Sequence, residues 1–500
     1  MPSAAYAKGL KLSAQGRHLE AINQYEQALA ADPQDTGVLF ALGNTAGALG
    51  MAGPAEQFFR QVLALDPARL EATVNLANLM RANGQFEAAI ALLQPALARN
   101  PDSPELNLTL GSAFREMGDN SAAETLYMAA LKARPNYAPA LSNLADLLCD
   151  AGEWEEARSL YDSAIRNDPR NSQARVNRAV LHLLAGALKD GWRDYAARID
   201  IPGKVPAADL NIAPWTGDSL RKKRLLVRAE QGVGDQILFA SVIPDLCARA
   251  TGEGGSLVLE CEPRLASLFA RSFPGVCVRP AQIASVDGAP RADYDWVKGA
   301  GGINAWTLMG TLPRYLRPSL DRFPRPHTFL TPDALEAARW EHQLGPGRTV
   351  GICWRSGKSG GHRSVQYAPL AEWGAFLHGL GDRTIVSVQY DATPEEIAEL
   401  EKISGRTILV PQGIDQKNEL DRTAALLSVL DAVVSAPTAV SWLSAGVGTP
   451  TWKVLYDTSW TALGENFEPF APACKLAMPK QRGDWAQAFA GVTRALAQTL

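Results

Sequence analysis

A spacing of 34 residues governs the first third of this 500-residue chain. Prolines and glycines recur at this interval, and no insertion or deletion interrupts them. Alanines and bulky apolar residues recur in the same phase. The prolines are Pro33, Pro67, Pro101, Pro135 and Pro169, and the glycines are Gly16, Gly50, Gly84, Gly118, Gly152 and Gly186. The in-phase alanines are Ala21, Ala55, Ala89, Ala123 and Ala157, and the bulky residues are Tyr25, Phe59, Leu93, Tyr127 and Tyr161.

This period, with a glycine at the turn and a proline at the end, is typical of tetratricopeptide (TPR) repeats. Small alanines let two antiparallel helices approach closely, larger residues fill the gap, and proline ends the second helix. Each helix pair buries its apolar face against the next pair, so stacking predicts a superhelix with a groove for a partner protein. We predict five repeats and a degenerate capping repeat within residues 1–205.

Asparagines on the first helices of the repeats are candidate groove residues. A side-chain carboxamide can bind the backbone amides of a partner, although a solvated helix surface is the alternative at each position. The candidates are Asn44, Asn75, Asn78, Asn107, Asn143 and Asn177.

The pattern changes after the TPR region to short apolar runs that alternate with amphipathic segments. This alternation predicts an α/β region with parallel sheets. A proline-rich segment near residue 330 divides it into two Rossmann-like lobes, residues 206–335 and 336–500. Ligands of such folds bind beyond the carboxyl ends of the strands. We expect the terminal helix, which starts near Asp484, to brace the first lobe.

The sequence EQGVGD, which ends at Asp235, forms a turn between a strand and a helix. It is neither a dinucleotide fingerprint nor a phosphate-binding P-loop, because Ile237 occupies the third glycine position and no GK[ST] follows. The glycines Gly232 and Gly234 allow close approach to the backbone, and Gln231 belongs to the same turn at the cleft. Asp235 then either caps the helix or accepts a proton from an attacking hydroxyl as a general base.

Two features of the second lobe are candidate anion sites. The loop WRSGKSGGHRS follows a strand and is suited to neutralise phosphate oxygens, with a solvated basic loop as the alternative. Its basic residues are Arg355, Lys358, His362 and Arg363. A helix that begins at SAPTAVSW offers free N–H groups together with Thr438 and Ser441.

Composition excludes several classes of function. The chain has 49 Lys and Arg against 53 Asp and Glu, so it lacks the basic bias of a nucleic-acid binder. No apolar stretch is long enough for a membrane span, and we expect a cytoplasmic protein. Six cysteines without a CxxC pair and six histidines without an HExxH motif predict no metal site.

Four segments together resemble a known family: EQGVGDQILFASVIPDL, GICWRSGKSGGHRSVQYAPLAEW, IVSVQY and DAVVSAPTAVSWLSAGVGTP. They resemble the TPR-linked GT-B glycosyltransferases of bacteria, which are related to the heptosyltransferases of glycosyltransferase family 9. The resemblance covers essentially the whole chain. It implies an acceptor lobe, a donor lobe and metal-independent inverting transfer. It also implies that Asp235 is the catalytic base and that Ser387 and Gln389 lie near the nucleotide.

The sequence departs from the wider family at the second anion site. Pro437-Thr438 stands where an Asp-Thr pair is common, and Trp442 stands where a histidine is common. Flagellin-modifying members, which use a CMP-activated nonulosonic acid such as pseudaminic acid, show the closest resemblance. We therefore expect a protein O-glycosyltransferase that modifies Ser or Thr of flagellin, with a nucleotide sugar as co-substrate and no other cofactor. A catalytically inactive scaffold and a lipid- or polysaccharide-directed transferase are the alternatives.

Overall fold

The computed structural model describes residues 3–208, 210–286, 289–299, 302–357 and 366–499. Packing of Cα atoms divides the chain into two compact units, with the main boundary between Arg178 and Ala179. The sequence-based limit for the TPR region was residue 205. Residues 179–205 therefore pack with the α/β region, although they continue the helical pattern of the repeats.

The first unit consists of paired helices. The helices are α1 (Ala4–Ala14), α2 (His18–Ala31), α3 (Thr36–Ala48), α4 (Ala52–Leu65), α5 (Leu70–Ala82), α6 (Phe86–Arg99), α7 (Pro104–Glu116), α8 (Asn120–Ala133), α9 (Ala138–Ala151), α10 (Trp154–Asn167) and α11 (Ser172–Leu184). Helices α1–α10 form five pairs at the positions of the predicted repeats, and α11 starts the sixth pair. Each repeat glycine has φ between 71° and 89°, a left-handed conformation that glycine adopts at no steric cost.

Close packing within each pair explains the repeated small and bulky residues. Ala21, Ala55, Ala89, Ala123 and Ala157 are fully buried, and the in-phase bulky residues are at most 4% exposed. A further small position lies on the first helices. A Cβ atom built on Gly111 would lie only 2.8 Å from the ring of Tyr127, and Gly43 faces Phe59 in the same way. The aromatic ring thus occupies the space of a missing side chain.

We predict that Gly111→Ala destabilises the first unit by about 1–2 kcal/mol, because the added methyl group must displace the Tyr127 ring. Gly47→Ala is the matched control. Gly47 is also helical, but a Cβ atom built on it would have no neighbouring atom within 4 Å. That change should stabilise the unit by about 0.5–1 kcal/mol through helix propensity alone. Urea unfolding followed by far-UV circular dichroism measures both, and equal effects would contradict the packing argument.

The second unit contains two parallel sheets, which confirms the predicted α/β region. The first sheet has the order β3-β2-β1-β6, and the strands are β1 (Arg224–Arg228), β2 (Ser256–Cys261), β3 (Cys277–Pro280) and β6 (Ile303–Leu308). A separate two-stranded sheet is formed by β4 (Ile283–Val286) and β5 (Ala289–Ala292). We call the part of the unit built on the four-stranded sheet the first lobe.

The second sheet has the order β9-β8-β7-β10-β11-β12, and all its pairings are parallel. Its strands are β7 (Thr349–Cys353), β8 (Thr384–Ser387), β9 (Ile408–Leu409), β10 (Ala432–Ser435), β11 (Thr451–Val454) and β12 (Cys474–Ala477). Counted from β7, this is the 3-2-1-4-5-6 order of doubly wound dinucleotide-binding sheets. We call the part built on this sheet the second lobe.

Helices accompany both sheets. They are α12 (Leu188–Tyr195), α13 (Val233–Ala240), α14 (Ile243–Glu253), α15 (Ala266–Ser272), α16 (Asp295–Gly299), α17 (Leu312–Leu316), α18 (Ala334–Leu344), α19 (Leu370–His378), α20 (Pro394–Ser404), α21 (Leu420–Ser428), α22 (Ala439–Gly446) and α23 (Trp485–Thr499). Short 3₁₀ turns are Ala196–Asp200, Pro263–Leu265, Met309–Thr311, Leu320–Arg322 and Trp460–Ala462.

The terminal helix α23 packs in the core of the second lobe. Phe489 is 4% exposed and stacks on Phe376 of α19, with their ring centroids 4.9 Å apart. Val492 and Leu496 lie in the same apolar cluster. The expectation that this helix braces the first lobe is therefore wrong, because its buried face fits the side of its own sheet.

Candidate functional site

The two lobes meet where one helix of each begins. Helix α13 follows the EQGVGD turn after β1, and α22 follows β10. A Cβ atom built on Gly234 would lie 3.5 Å from the Cα atom of Ala439, the first residue of α22. The amino ends of the two helices therefore face each other beyond the carboxyl ends of their strands. We call this contact the inter-lobe seam. It lies beyond the carboxyl ends of the strands, the side on which ligands of α/β folds bind.

Asp235 lies in the first turn of α13, three residues after the N-cap Gly232. Its carboxylate accepts a hydrogen bond from the Gly232 backbone, as the third residue does in a capping box. Burial raises the pKa of Asp235 to about 6, and the nearby charge of Glu230 adds to the rise, while the Gly232 hydrogen bond and Lys204 oppose it. Capping and proton acceptance are thus compatible, since a carboxylate with this pKa is a competent base near neutral pH.

We predict that Asp235→Asn raises the free energy of unfolding at pH 8 by about 2 kcal/mol. The raised pKa means that the folded protein binds a proton more tightly than the unfolded chain. The corresponding stability is present in wild type at pH below about 4 and is lost as pH rises through about 6. An uncharged asparagine avoids that loss, so the two proteins should differ at pH 8 and converge at pH 4.

Asp333→Asn is the control of opposite sign for this comparison. Asp333 caps α18, and its hydrogen bond from the Glu336 backbone lowers its pKa. Asparagine at this position should therefore leave the protein slightly less stable at pH 8. Urea unfolding at pH 4 and pH 8 measures both variants, and a wild type more stable than Asp235→Asn at pH 8 would contradict the raised pKa.

The residues before Asp235 are held from outside the sheet. Arg198 donates two hydrogen bonds to the Glu230 carboxylate, each 2.8 Å long, and the backbone N–H of Gly310 donates a third of 2.7 Å. Gln231 donates to the Tyr195 hydroxyl at 2.8 Å. No sequence signal indicated these anchors, because Arg198 and Glu230 are distant in the chain and belong to no common motif.

The start of α22 has the expected N-cap. The Thr438 hydroxyl accepts a 3.3 Å hydrogen bond from the Val440 N–H. Ser441 is fully buried, and its hydroxyl donates to the Thr438 carbonyl at 2.8 Å. Thr438 therefore lies at the inter-lobe seam, whereas the Ser441 side chain is turned into the helix and reinforces its first turn. Direct donor contact by Ser441 is not supported by this arrangement.

Arg355 is already engaged by carboxylates. It donates to Glu396 at 2.5 and 2.7 Å and to Asp391 at 3.0 Å, and these partners raise its pKa. Arg355 therefore has two carboxylate partners in the structure, and its part in neutralising phosphate oxygens stays a prediction. The other predicted loop residues, Lys358, His362 and Arg363, lie outside the described residues.

Gln389 positions the same loop. It is 3% exposed, accepts 3.0 Å hydrogen bonds from the backbone N–H groups of Trp354 and Arg355, and donates to the Arg355 carbonyl at 2.9 Å. It also donates to Asp391 at 2.7 Å. Gln389 therefore fixes the start of the loop after β7. Direct contact of Gln389 with a nucleotide stays a prediction.

The asparagines of the first unit form links between successive repeats. Asn75 donates to Asn44 at 2.7 Å, Asn143 donates to Ser112 at 3.0 Å, and Asn177 donates to Asp146 at 2.8 Å. Each link joins residues 31 positions apart on neighbouring first helices. Asn78 is exposed and accepts a hydrogen bond from Arg81. The links join α3 to α5, α7 to α9 and α9 to α11, and we call these linked side chains the polar row.

Asn107 is the exception among these asparagines. It is 2% exposed and donates to the backbone carbonyls of Pro101 and Ser103 at 2.8 and 2.9 Å. Its assignment to the groove is wrong. The 34-residue spacing explains this difference. Asn107 lies two residues before the position that is equivalent to Asn75 and Asn143, and two residues correspond to about 200° of helix rotation.

Other sites are limited within the described part of the chain. There, no group of three His, Cys, Asp or Glu side chains is arranged to hold a metal ion, and no helix combines the length and apolar character needed to cross a bilayer. A surface cavity of about 870 Å³ lies between β12 and α23, with Lys475, Lys480 and Arg494 in its lining. None of the predicted site residues lines this cavity.

Comparison with known proteins agrees with the repeats. Family models described as tetratricopeptide repeat match residues 6–73, 48–111 and 114–181. The structure of TTC0263, a TPR protein of Thermus thermophilus, is 28% identical over 36% of this chain and 98% of that chain, with a TM-score of 0.33. MamA is 25% identical over 33% of this chain and 96% of that chain, with a TM-score of 0.29.

The match to one curated relative is longer than the repeat region. Protein FlbA of Caulobacter vibrioides is 35% identical over 323 residues, which is 64% of this chain and 54% of the relative. The chain thus spans about half the length of that relative. The chain therefore contains tetratricopeptide repeats, it is similar to FlbA over 323 residues, and its repeats precede a region of parallel sheets.

Proposed function

We propose that the protein is a metal-independent inverting glycosyltransferase of the GT-B type, acting on Ser or Thr hydroxyls of an acceptor protein. The observation that carries the proposal is the inter-lobe seam. There the first turn of α13, which contains Asp235, faces the capped amino end of α22. A Cβ atom built on Gly234 in that turn would lie 3.5 Å from the Cα atom of Ala439. One side supplies a base and the other supplies N–H groups for an anion, which are the two parts that glycosyl transfer from a nucleotide sugar requires.

In this mechanism the acceptor hydroxyl binds on the side of Asp235. The carboxylate takes the hydroxyl proton while the oxygen attacks the anomeric carbon of the sugar. The bond from that carbon to the phosphate oxygen breaks as the new glycosidic bond forms, so the configuration inverts. The nucleotide leaves with the bonding electrons as a phosphate anion. The N–H groups and the dipole at the start of α22 stabilise that negative charge.

We further propose that the first unit, which contains the TPR repeats and is called the TPR unit below, captures the acceptor. The polar row through Asn44, Asn75, Asn143 and Asn177 supports binding of an extended backbone. Flagellin as acceptor, and a CMP-activated nonulosonic acid such as pseudaminic acid as donor, rest on the sequence resemblance. A donor that carries its own carboxylate suits a site whose anion ligands include a helix amino end.

A catalytically inactive scaffold is the second candidate function. It is favoured by the engagement of Arg355 with Glu396 and Asp391 and by the burial of Ser441, which leave fewer groups for a donor than the sequence predicted. Such a scaffold would bind a partner through its TPR unit. It would have no requirement for a nucleotide at the inter-lobe seam.

A thermal-shift panel of CMP, CDP, UDP and GDP separates the two candidates. A transferase should be stabilised by the nucleotide of its donor, by about 2.7 kcal/mol when that nucleotide is present at 100 times its Kd. Thr438→Ala should reduce the shift because it removes the cap of α22. Ser103→Ala removes a similar cap in the TPR unit and should leave the shift unchanged. No shift with any nucleotide would favour the scaffold.

A further inference from the structure

We propose that the segment Leu188–Asp200, which follows the last TPR helix and belongs to neither sheet, holds the EQGVGD turn in its working position. Arg198 and Tyr195 are the positioning residues. This inference rests on the proposed role of Asp235 and adds to it. It makes the segment between the last TPR helix and the first sheet a structural part of the catalytic site.

The first contact is the ion pair between Arg198 and Glu230. Both side chains are almost fully buried, at 5% and 2% exposure, and two hydrogen bonds of 2.8 Å join them. Arg198 also donates to the Thr311 hydroxyl at 2.9 Å. A Cβ atom on Gly310 would lie 2.8 Å from the Glu230 carboxylate, so the pair fills its pocket. Fork-shaped pairing of this kind fixes orientation as well as distance.

The second contact holds the next residue of the turn. The Tyr195 hydroxyl lies 2.8 Å from the Gln231 side-chain nitrogen and 3.3 Å from its oxygen. The Gln231 carbonyl in turn accepts a 2.8 Å hydrogen bond from Gln236 within α13. Tyr195 also stacks under the Arg198 guanidinium at 4.5 Å. Two adjacent turn residues are thus held by two side chains of one segment.

The same segment packs against the second lobe. The Trp192 ring lies 6.4 Å from the ring of Trp460 and 6.2 Å from that of Phe470, measured between centroids. Tyr195 lies 5.8 Å from Trp460. The segment therefore contacts the first lobe through polar groups and the second lobe through aromatic rings. A segment that is fixed to both lobes can hold the Asp235 turn against α22.

The charges around Asp235 make the position of Glu230 important. Glu230 raises the pKa of Asp235 and Lys204 lowers it. Tyr195 of α12 also interacts electrostatically with Asp235. The elements α22 and Met309–Thr311, which pack on α13 at this end, contain no ionisable side chain. Arg198 is the cation that hydrogen-bonds Glu230 directly. It therefore balances the carboxylate that raises the pKa of Asp235 while it fixes the turn.

Arg198→Met in the full chain tests the proposal, with Arg317→Met as the matched control. Arg317 is also fully buried and paired with a carboxylate, Asp245, but it binds the other end of α13 through the Ser241 carbonyl. Two readouts are measured: kcat and KM for the donor, and hydrogen exchange of the peptide that covers the turn. The second readout requires no activity.

Arg198→Met should lower kcat by about 10- to 100-fold with KM for the donor changed by less than about threefold, because misplacement of a base affects the chemical step. Exchange of the turn peptide should become faster. Arg317→Met should change neither, and Arg198→Lys should recover part of kcat. Glu230→Gln should move the acid limb of the pH profile to lower pH, because it removes the charge that raises the pKa of Asp235.

Equal effects of Arg198→Met and Arg317→Met on both readouts would overturn the proposal. If the wild type transfers no sugar, the proposed function fails separately, and faster exchange of the turn in Arg198→Met alone still supports the holding role. If Arg198→Met does not fold, Arg198→Lys and Tyr195→Phe replace it. Unchanged kcat and unchanged exchange in both of these variants would also overturn the proposal.

Discussion

Asp235→Asn is expected to lower kcat for sugar transfer by about 10²- to 10⁴-fold, the usual contribution of a general base. Asparagine has nearly the same shape and keeps an oxygen that can accept the Gly232 hydrogen bond, so the turn should remain folded. It cannot take a proton from the acceptor hydroxyl. The loss should therefore appear in kcat, with little change in KM for the donor.

The pH dependence of wild type provides the internal check. The base must be ionised to act, and its pKa is raised to about 6. The value of kcat/KM should therefore fall tenfold per pH unit as pH is lowered below about 6, and it should be level just above pH 7. The residual activity of Asp235→Asn should not show this fall at low pH. Full activity in Asp235→Asn would remove Asp235 from the mechanism.

Lys453→Met is expected to lower the free energy of unfolding of the second unit by about 3–5 kcal/mol, since it leaves an uncompensated buried charge. Lys453 and Glu468 form an ion pair of 2.5 Å at 3% and 0% exposure. The ammonium also lies 3.6 Å from the centre of the Trp442 ring. The Oε1 atom of Glu468 accepts further hydrogen bonds from Ser459 and Thr461, whereas Oε2 has no partner among the described residues.

Two variants make this prediction specific. Lys402→Met changes an exposed lysine on α20 of the same lobe and should alter stability by less than about 0.5 kcal/mol. The double variant Lys453→Met/Glu468→Leu removes both charges and should recover most of the loss. Urea unfolding followed by tryptophan fluorescence reports this unit, because only Trp154 precedes its boundary. A double variant as unstable as Lys453→Met would contradict the explanation.

The repeats could be predicted from the sequence because their structure is local. Each TPR pair is built from contacts within about 34 residues, so the side chains that pack together, such as Ala123 and Tyr127, recur visibly in the sequence. The same phase would have excluded Asn107 from the groove. Periodicity alone also identified the sixth pair, although not that residues from Ala179 onward pack with the sheets.

The α/β region was predicted in type but not in every element. The alternation of apolar runs and amphipathic segments predicts the region but does not locate strands such as β6 and β12. Both strands contain polar or charged residues, such as Asn304 and Lys475, which weaken the apolar signal of a parallel strand.

The sequence predicted those parts of the candidate site whose residues are contiguous in the chain. The EQGVGD turn and the start of α22 were identified in this way, and the fold brings them together. The role of Glu230 was not identified, because its partner Arg198 lies 32 residues earlier and reaches it through packing. The pairing of Arg355 with Glu396 was hidden for the same reason.

Intact-protein mass spectrometry of the acceptor tests the proposed transferase most directly. Purified protein is incubated with flagellin and a CMP-activated nonulosonic acid, and Asp235→Asn is treated in parallel. The wild type should increase the mass of flagellin by one or more nonulosonic acid units, and Asp235→Asn should leave it unchanged over the same period. If a folded wild-type protein transfers no sugar from any of a panel of nucleotide sugars, the glycosyltransferase account is contradicted.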